Sequence, residues 1–128
     1  MNDPSHALQQ AIFDALVAAN VANAKVYHRV PPATPLPYVQ IGQDLITADF
    51  APGEFYECDA TVHVFAASMP LVKALVGDAV TTLSKTLTMA GFRCHFGRLE
   101  RVRYINDSAP DVAAHAVIEL LYRVQPEE

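Results

Sequence analysis

Cys94 and His95 stand side by side, and a thiol beside an imidazole is the first arrangement in this chain that could do chemistry. A cysteine nucleophile needs its histidine within hydrogen-bond reach. Neighbours on a strand point to opposite faces, so this adjacency alone does not build such a pair. His63, His95 and His115 fall in segments that read as strands of one sheet, where a zinc site is conceivable. None of the five histidines (His6, His28, His63, His95, His115) has the helical i, i+4 or short-loop spacing of a metal motif. They read as dispersed polar positions. Glu57 and Asp59, two apart on one strand face, read as a solvated acidic stripe and not as an acid–base pair with separated pKa values. No Gly-x-Ser-x-Gly elbow is present, and the five scattered glycines open no helix and make no phosphate cradle. This inventory gives no catalytic residue, no metal ligand and no cofactor site, and the chain reads as a non-enzyme.

Arg93, Arg98, Arg101 and Arg103 concentrate positive charge in a chain whose net charge is −5. On a continuous strand Arg93, Arg101 and Arg103 share one parity and Arg98 takes the other. Such a row serves either as a solvent face paired with carboxylates such as Glu119, or as a charged contact with an acidic neighbour. Duplex binding rests on phosphates neutralised by Lys and Arg, and the acidic balance argues against it. Without aromatic residues interleaved on that face, binding of a single strand has little support either.

The elements that must position these groups are legible in part. The 128 residues, 52% hydrophobic and 18% charged, suit one domain over 1–128 with a packed core. The apolar fraction is slightly high for a small monomer; oligomerisation is one reading and an Ala-rich interior is the other. Cys58 and Cys94 follow no CxxC pattern and suit a reduced cytoplasmic protein. No signal peptide and no membrane span is evident, so synthesis in a cytoplasm is expected.

Asp3-Pro4-Ser5 supplies two candidate caps for a helix over 4–19, with Leu8, Ile12 and Leu16 on one stripe. A strand over 25–30 runs into four prolines within 31–37, and a second strand covers 38–42. From 43 to 55 the periodicity fails around Pro52-Gly53. This stretch is either a surface loop with its apolar side chains tucked back or a projecting arm that meets another subunit. Residues 56–66 alternate cleanly, with Tyr56, Cys58, Ala60, Val62 and Val64 on one face. Ser68-Met69-Pro70 opens a second helix, apolar from Val72 to Leu87, with Gly91 near its end. Residues 92–105 form one long strand or a hairpin broken at Gly97, and 112–124 a last strand after a polar turn at 106–110. The order α-β-β-β-α-β-β predicts an α+β fold, with two helices on one face of a mostly antiparallel, mixed sheet.

Two stretches carry a resemblance: Val26-Tyr27-His28-Arg29-Val30-Pro31-Pro32, followed by Leu36-Pro37-Tyr38-Val39. With the element order, they make the whole chain resemble a family of short proteins encoded in tailed-phage, prophage and gene-transfer-agent clusters. These are tail-completion proteins, related in fold to the tail terminators of long non-contractile tails. The resemblance implies a homo-hexameric ring at the head-proximal end of the tail tube. Such a ring ends tube polymerisation and joins the tail to the head. It implies the tail-tube protein and a head–tail connector as partners, no membrane, and DNA passing through the lumen without specific binding. The particle would be assembled in a bacterial host cytoplasm. A ring needs two different matching surfaces per subunit. Ile46, Phe50 and Phe55 are the expected apolar anchors; Glu57 and Asp59 are expected to face Arg93, Arg101 and Arg103 across the contact. A neck protein on the head side is the alternative implied partner set. A small ligand-binding domain with a pocket between helices and sheet is the remaining alternative, although the sequence offers no converging polar groups for it.

Overall fold

Asp3 and Pro4 start the first helix together. The Asp3 carboxylate accepts the Ser5 amide at 2.7 Å, and Pro4, which has no amide to donate, takes the first helical position. Helix α1 spans Pro4–Ala18 and buries Leu8, Ala11, Ile12 and Leu16. Asparagine tolerates left-handed backbone better than most residues, and Asn20 (φ 56°) and Asn23 (φ 57°) carry the turn that follows. The computed structural model describes residues 3–49, 53–105 and 113–127.

Seven elements carry the architecture: α1, β1 (Val26–Tyr27), β2 (Tyr38–Asp49), β3 (Phe55–Ala66), α2 (Met69–Leu83), β4 (Phe92–Ile105) and β5 (Ala114–Pro126). The sheet order is β1-β2-β3-β5-β4, with β1 parallel to β2 and every other pair antiparallel. The fold is thus the expected α+β arrangement with a mixed sheet. Leu8, Ile12 and Leu16 of α1 and Val72, Val76, Ala79 and Leu83 of α2 share one core with Val39, Val62, Val64, Ile118, Leu120 and Tyr122 of the sheet. Among the described residues no buried side-chain N or O lacks a hydrogen-bond partner.

Three elements depart from expectation. The strand expected over 25–30 shrinks to β1, because prolines at 31 and 32 cannot donate to a ladder. His28 instead stacks on Phe13, with ring centroids 5.2 Å apart. The stretch 43–55 is not a loop through its length: β2 continues to Asp49 and pairs with β3 down to Phe55. A bulge between Ile41 and Asp44 flips the phase, so Val39 and Ile41 face the helices before it, and Asp44, Ile46 and Ala48 after it. Gly42 permits the bulge, since a Cβ there would lie 2.7 Å from His63 Nε2.

Helix α2 stops at Leu83, a turn before the expected Leu87. Its last carbonyl, Leu83 O, accepts the Tyr122 hydroxyl at 2.6 Å, and Ser84 Oγ accepts the Leu99 amide at 3.1 Å. Leu87 and Met89 stay buried in the irregular segment that leads to β4. Strand β4 is one continuous strand and not a hairpin at Gly97, with bulges between Cys94 and Phe96 and between Leu99 and Arg101. The expected start of the last strand at Val112 and the turn at 106–110 lie outside the described residues.

Candidate assembly surface: the outer face of the sheet

The helices cover one face of the sheet; the opposite face carries the charge. Along β3, Phe55, Glu57, Asp59, Thr61, His63 and Phe65 alternate with the buried series and point outward. Along β5 the outward set is His115, Val117, Glu119, Leu121 and Arg123, paired in turn with Phe65, His63, Thr61, Asp59 and Glu57, with Gln125 beyond the residues that β3 pairs. Strand β4 adds Arg93, Phe96, Arg98, Arg101 and Arg103, opposite Gln125, Arg123, Leu121, Glu119 and Val117. Each bulge shifts parity by one, and the two shifts cancel. Arg93, Arg101 and Arg103 therefore share a face as expected, but Arg98, expected on the other side, joins them between the bulges. All four are exposed.

The face is polarised across its width. Acidic Asp49, Glu57 and Asp59 lie on β2 and β3, the arginine row lies on the terminal strand β4, and β5 between them carries one charge of each sign. Arg101 and Arg103 both reach Glu119, at 3.4 and 3.6 Å, which is the solvent-face pairing named in the sequence. Arg123 joins Glu57 (3.1 Å) and Asp49 (3.5 Å), with its guanidinium 4.3 Å over the Phe55 ring. These pairs hold side chains in fixed positions more than they stabilise the fold, since exposed ion pairs contribute about 0–1 kcal/mol.

The expected apolar anchors are distributed unevenly. Ile46 faces the helices and packs against the core. Phe55 lies on the outer face, half-buried between Arg123 and His95. Phe50 lies outside the described residues. Sequence reasoning missed Leu45, 63% exposed on the outer face of β2, and Phe96, 36% exposed on β4. Their signal is hidden because each follows a bulge that reverses the strand's parity.

At one end of the face, residues from three strands gather. Tyr38 stacks on Phe65 (5.0 Å between centroids), Phe65 on His115 (4.2 Å), and His63 Nδ1 lies 2.9 Å from His115 Nε2. Val117, between His63 and Arg103 in register, is only 3% exposed although it points away from the helices. Burial lowers the His63 pKa below its ordinary value, with the Arg103 charge adding to it; for His115 burial comes first, then His63, then Arg103. The folded state therefore favours neutral rings, whereas the unfolded chain takes up protons near the ordinary pKa of 6.5. Stability from this pair is complete above about pH 6.5 and is lost as pH falls below it. Urea midpoints are expected to drop between pH 6.5 and 5, and the drop to shrink in His63→Gln. A midpoint with the same pH profile in both proteins would contradict this.

The candidate reactive groups separate. Cys94 packs toward the core, whereas His95 lies outward, 3.1 Å from the Gln125 side chain. Burial raises the Cys94 thiol, and it pushes Cys58 up to about 12, so neither is a ready thiolate. His63 and His115 meet, but His95 lies at the other end of β5, beside Gln125. Among the described residues no group of three or more His, Cys, Asp or Glu is placed to hold a metal ion. The pocket between α1 and the sheet, lined by Leu8, Ile12, Ile41 and Ala60 among others, measures about 70 Å³, whereas an open cleft between α1 and Thr88, Ala90 and Phe92 measures about 450 Å³, within the size range of small-molecule sites. Among the described residues no helix is long and apolar enough to cross a membrane.

No family model matches this chain, and no curated protein matches it. Among solved structures, the chain is similar to one in a structure described as "Virion of native gene transfer agent (GTA) particle". The two superpose with a TM-score of 0.74 over 100% of both chains, at 24% sequence identity. At that identity the shared property is the fold, over the full length of both.

Proposed function

We propose that this chain is a structural subunit of a phage-like particle. It assembles as a homo-hexameric ring at the head-proximal end of a non-contractile tail tube, ends tube polymerisation and joins the tail to the head. The observation that carries this reading is the end-to-end match in fold to a chain of a gene transfer agent virion. The outer face adds to it: a ring needs two different complementary surfaces on each subunit, and this sheet carries acid on one side and arginine on the other. The partners are further copies of the chain, the tail-tube protein and a head–tail connector. DNA would pass through the lumen without specific binding, and assembly would take place in a bacterial host cytoplasm. Binding alone performs the function, and no catalytic step is required.

The experiment is to polymerise the cognate tail-tube protein with and without this chain and to image tube ends by electron microscopy. Shorter tubes with added density at one end are expected. Unchanged tube lengths, together with binding to the isolated connector, would replace this reading with that of a neck protein on the head side.

A further inference from the structure

The two sides of the sheet end in open strand edges. Strand β1 covers only Val39 and Gln40 of β2, so among the described residues no strand lies outside residues 43–48. Strand β4 is last in the sheet order, and among the described residues its outer edge meets no further strand; it is engaged only at Phe92, bridged to Met89, and at Leu99, whose amide donates to Ser84 Oγ. Open edges invite pairing, and proteins restrict them with bulges and charge. Here the devices are opposite in sign. The β4 edge carries Arg93, Arg98, Arg101 and Arg103 against one acid, Glu100; at the other edge Asp44 of β2 lies on the helix side, bonded to the Ser5 hydroxyl, and Glu57 and Asp59 of the strand behind it lie on the outer face. Each edge also exposes an apolar side chain on the outer face, Leu45 on β2 and Phe96 on β4.

Sign and direction select one pairing. Two β4 edges would set arginine rows against each other, and two β2 edges would oppose carboxylates. A β4 edge against a β2 edge matches charge, and it also matches direction. Because β2 and β4 run opposite ways in the sheet, a second copy laid alongside in the same sense presents its β2 antiparallel to β4. That contact is heterologous and repeats from copy to copy, as a ring requires.

We propose that residues 43–48 of β2 in one copy of this chain dock antiparallel on the open edge of β4 in the next, with Leu45 and Phe96 as apolar contacts and Arg98 facing the Asp59 side of its neighbour. This rests on the reading of the chain as a self-assembling subunit and names the surfaces that do it. Among the described residues Arg98 pairs with Glu100 and lies over the Phe96 ring, both on its own strand, and Asp59 is exposed, so both can be reversed without breaking a link between strands.

The test is sedimentation of the full chain over a concentration series, alone and with tube protein, for wild type, Arg98→Glu, Asp59→Lys and the double variant. Urea midpoints confirm that all four are folded. Each single reversal is expected to raise the half-assembly concentration about tenfold or more, and the double to recover most of it, because complementarity is restored with signs exchanged. On assembly, amides in β4 and residues 43–48 are expected to gain hydrogen-exchange protection. Wild-type assembly with variants indistinguishable from it, or a double no better than the singles, would overturn the edge contact while leaving a ring possible by another surface. A wild type that assembles under neither condition would overturn both.

Discussion

Gly97→Ala is expected to destabilise the protein by about 3 kcal/mol or more, since an added Cβ meets closer obstacles there than at any other described glycine. The reason is a crossing. Tyr122 passes beneath β4 to bring its hydroxyl to Leu83 O, and Gly97 is the residue above the ring. A Cβ there would overlap both the Tyr122 ring and the Lys85 carbonyl oxygen. The ring is held by its hydrogen bond and by full burial, and the carbonyl is backbone, so neither can give way cheaply. The urea midpoint of Gly97→Ala measures this, with soluble yield as a second readout. A midpoint within error of wild type would show that the helix–strand crossing is looser than the structure has it.

Tyr122 itself is the second site of large effect. It is fully buried, the largest such side chain in the core, and its hydroxyl donates to the carbonyl that ends α2. Burial raises its phenol pKa well above the ordinary value, so the group stays a neutral donor throughout the working pH range. Tyr122→Phe is expected to cost about 0.5–1.5 kcal/mol, the loss of one hydrogen bond, because Leu83 O keeps the Lys85 amide at 2.9 Å. Tyr122→Ala should cost about 3–5 kcal/mol, as large aromatic-to-alanine changes in a core do. In the Tyr122→Ala background the penalty of Gly97→Ala should shrink, since one of its two obstructions has gone. Strict additivity of the two changes, measured by urea unfolding, would sink the coupling.

Where the sequence was readable and where it was not follows from one physical cause. Strand β3 keeps a single phase from Tyr56 to Ala66 and helix α2 keeps one from Val72 to Leu83, so simple periodicity located both. Strands β2 and β4 change phase at bulges, near Gly42 and Gln43, at His95 and at Glu100. A bulge adds one residue to one strand and reverses every side chain after it. Hence 43–49 shows no single period, Ile46 falls in a stretch without pattern although it meets the core, and parity alone puts Arg98 on the wrong face.

The pairing of Arg101 and Arg103 with Glu119 was legible because β5 alternates without interruption. The cluster of Tyr38, Phe65, His63 and His115 was not, because it depends on the register of three strands. The end of α2 was overextended because Leu87 continues the apolar period, while the contact that stops the helix comes from Tyr122, thirty-nine residues away.

The central claim is that this chain works as an assembling subunit, and native mass in solution tests it most directly. Light scattering should be run on the purified chain alone and again with tail-tube protein. A mass several times the 14.0 kDa of one chain, either in solution or only when tube ends are present, is the expected result. A mass that stays at one chain under both conditions, with no association with tube protein, would contradict it.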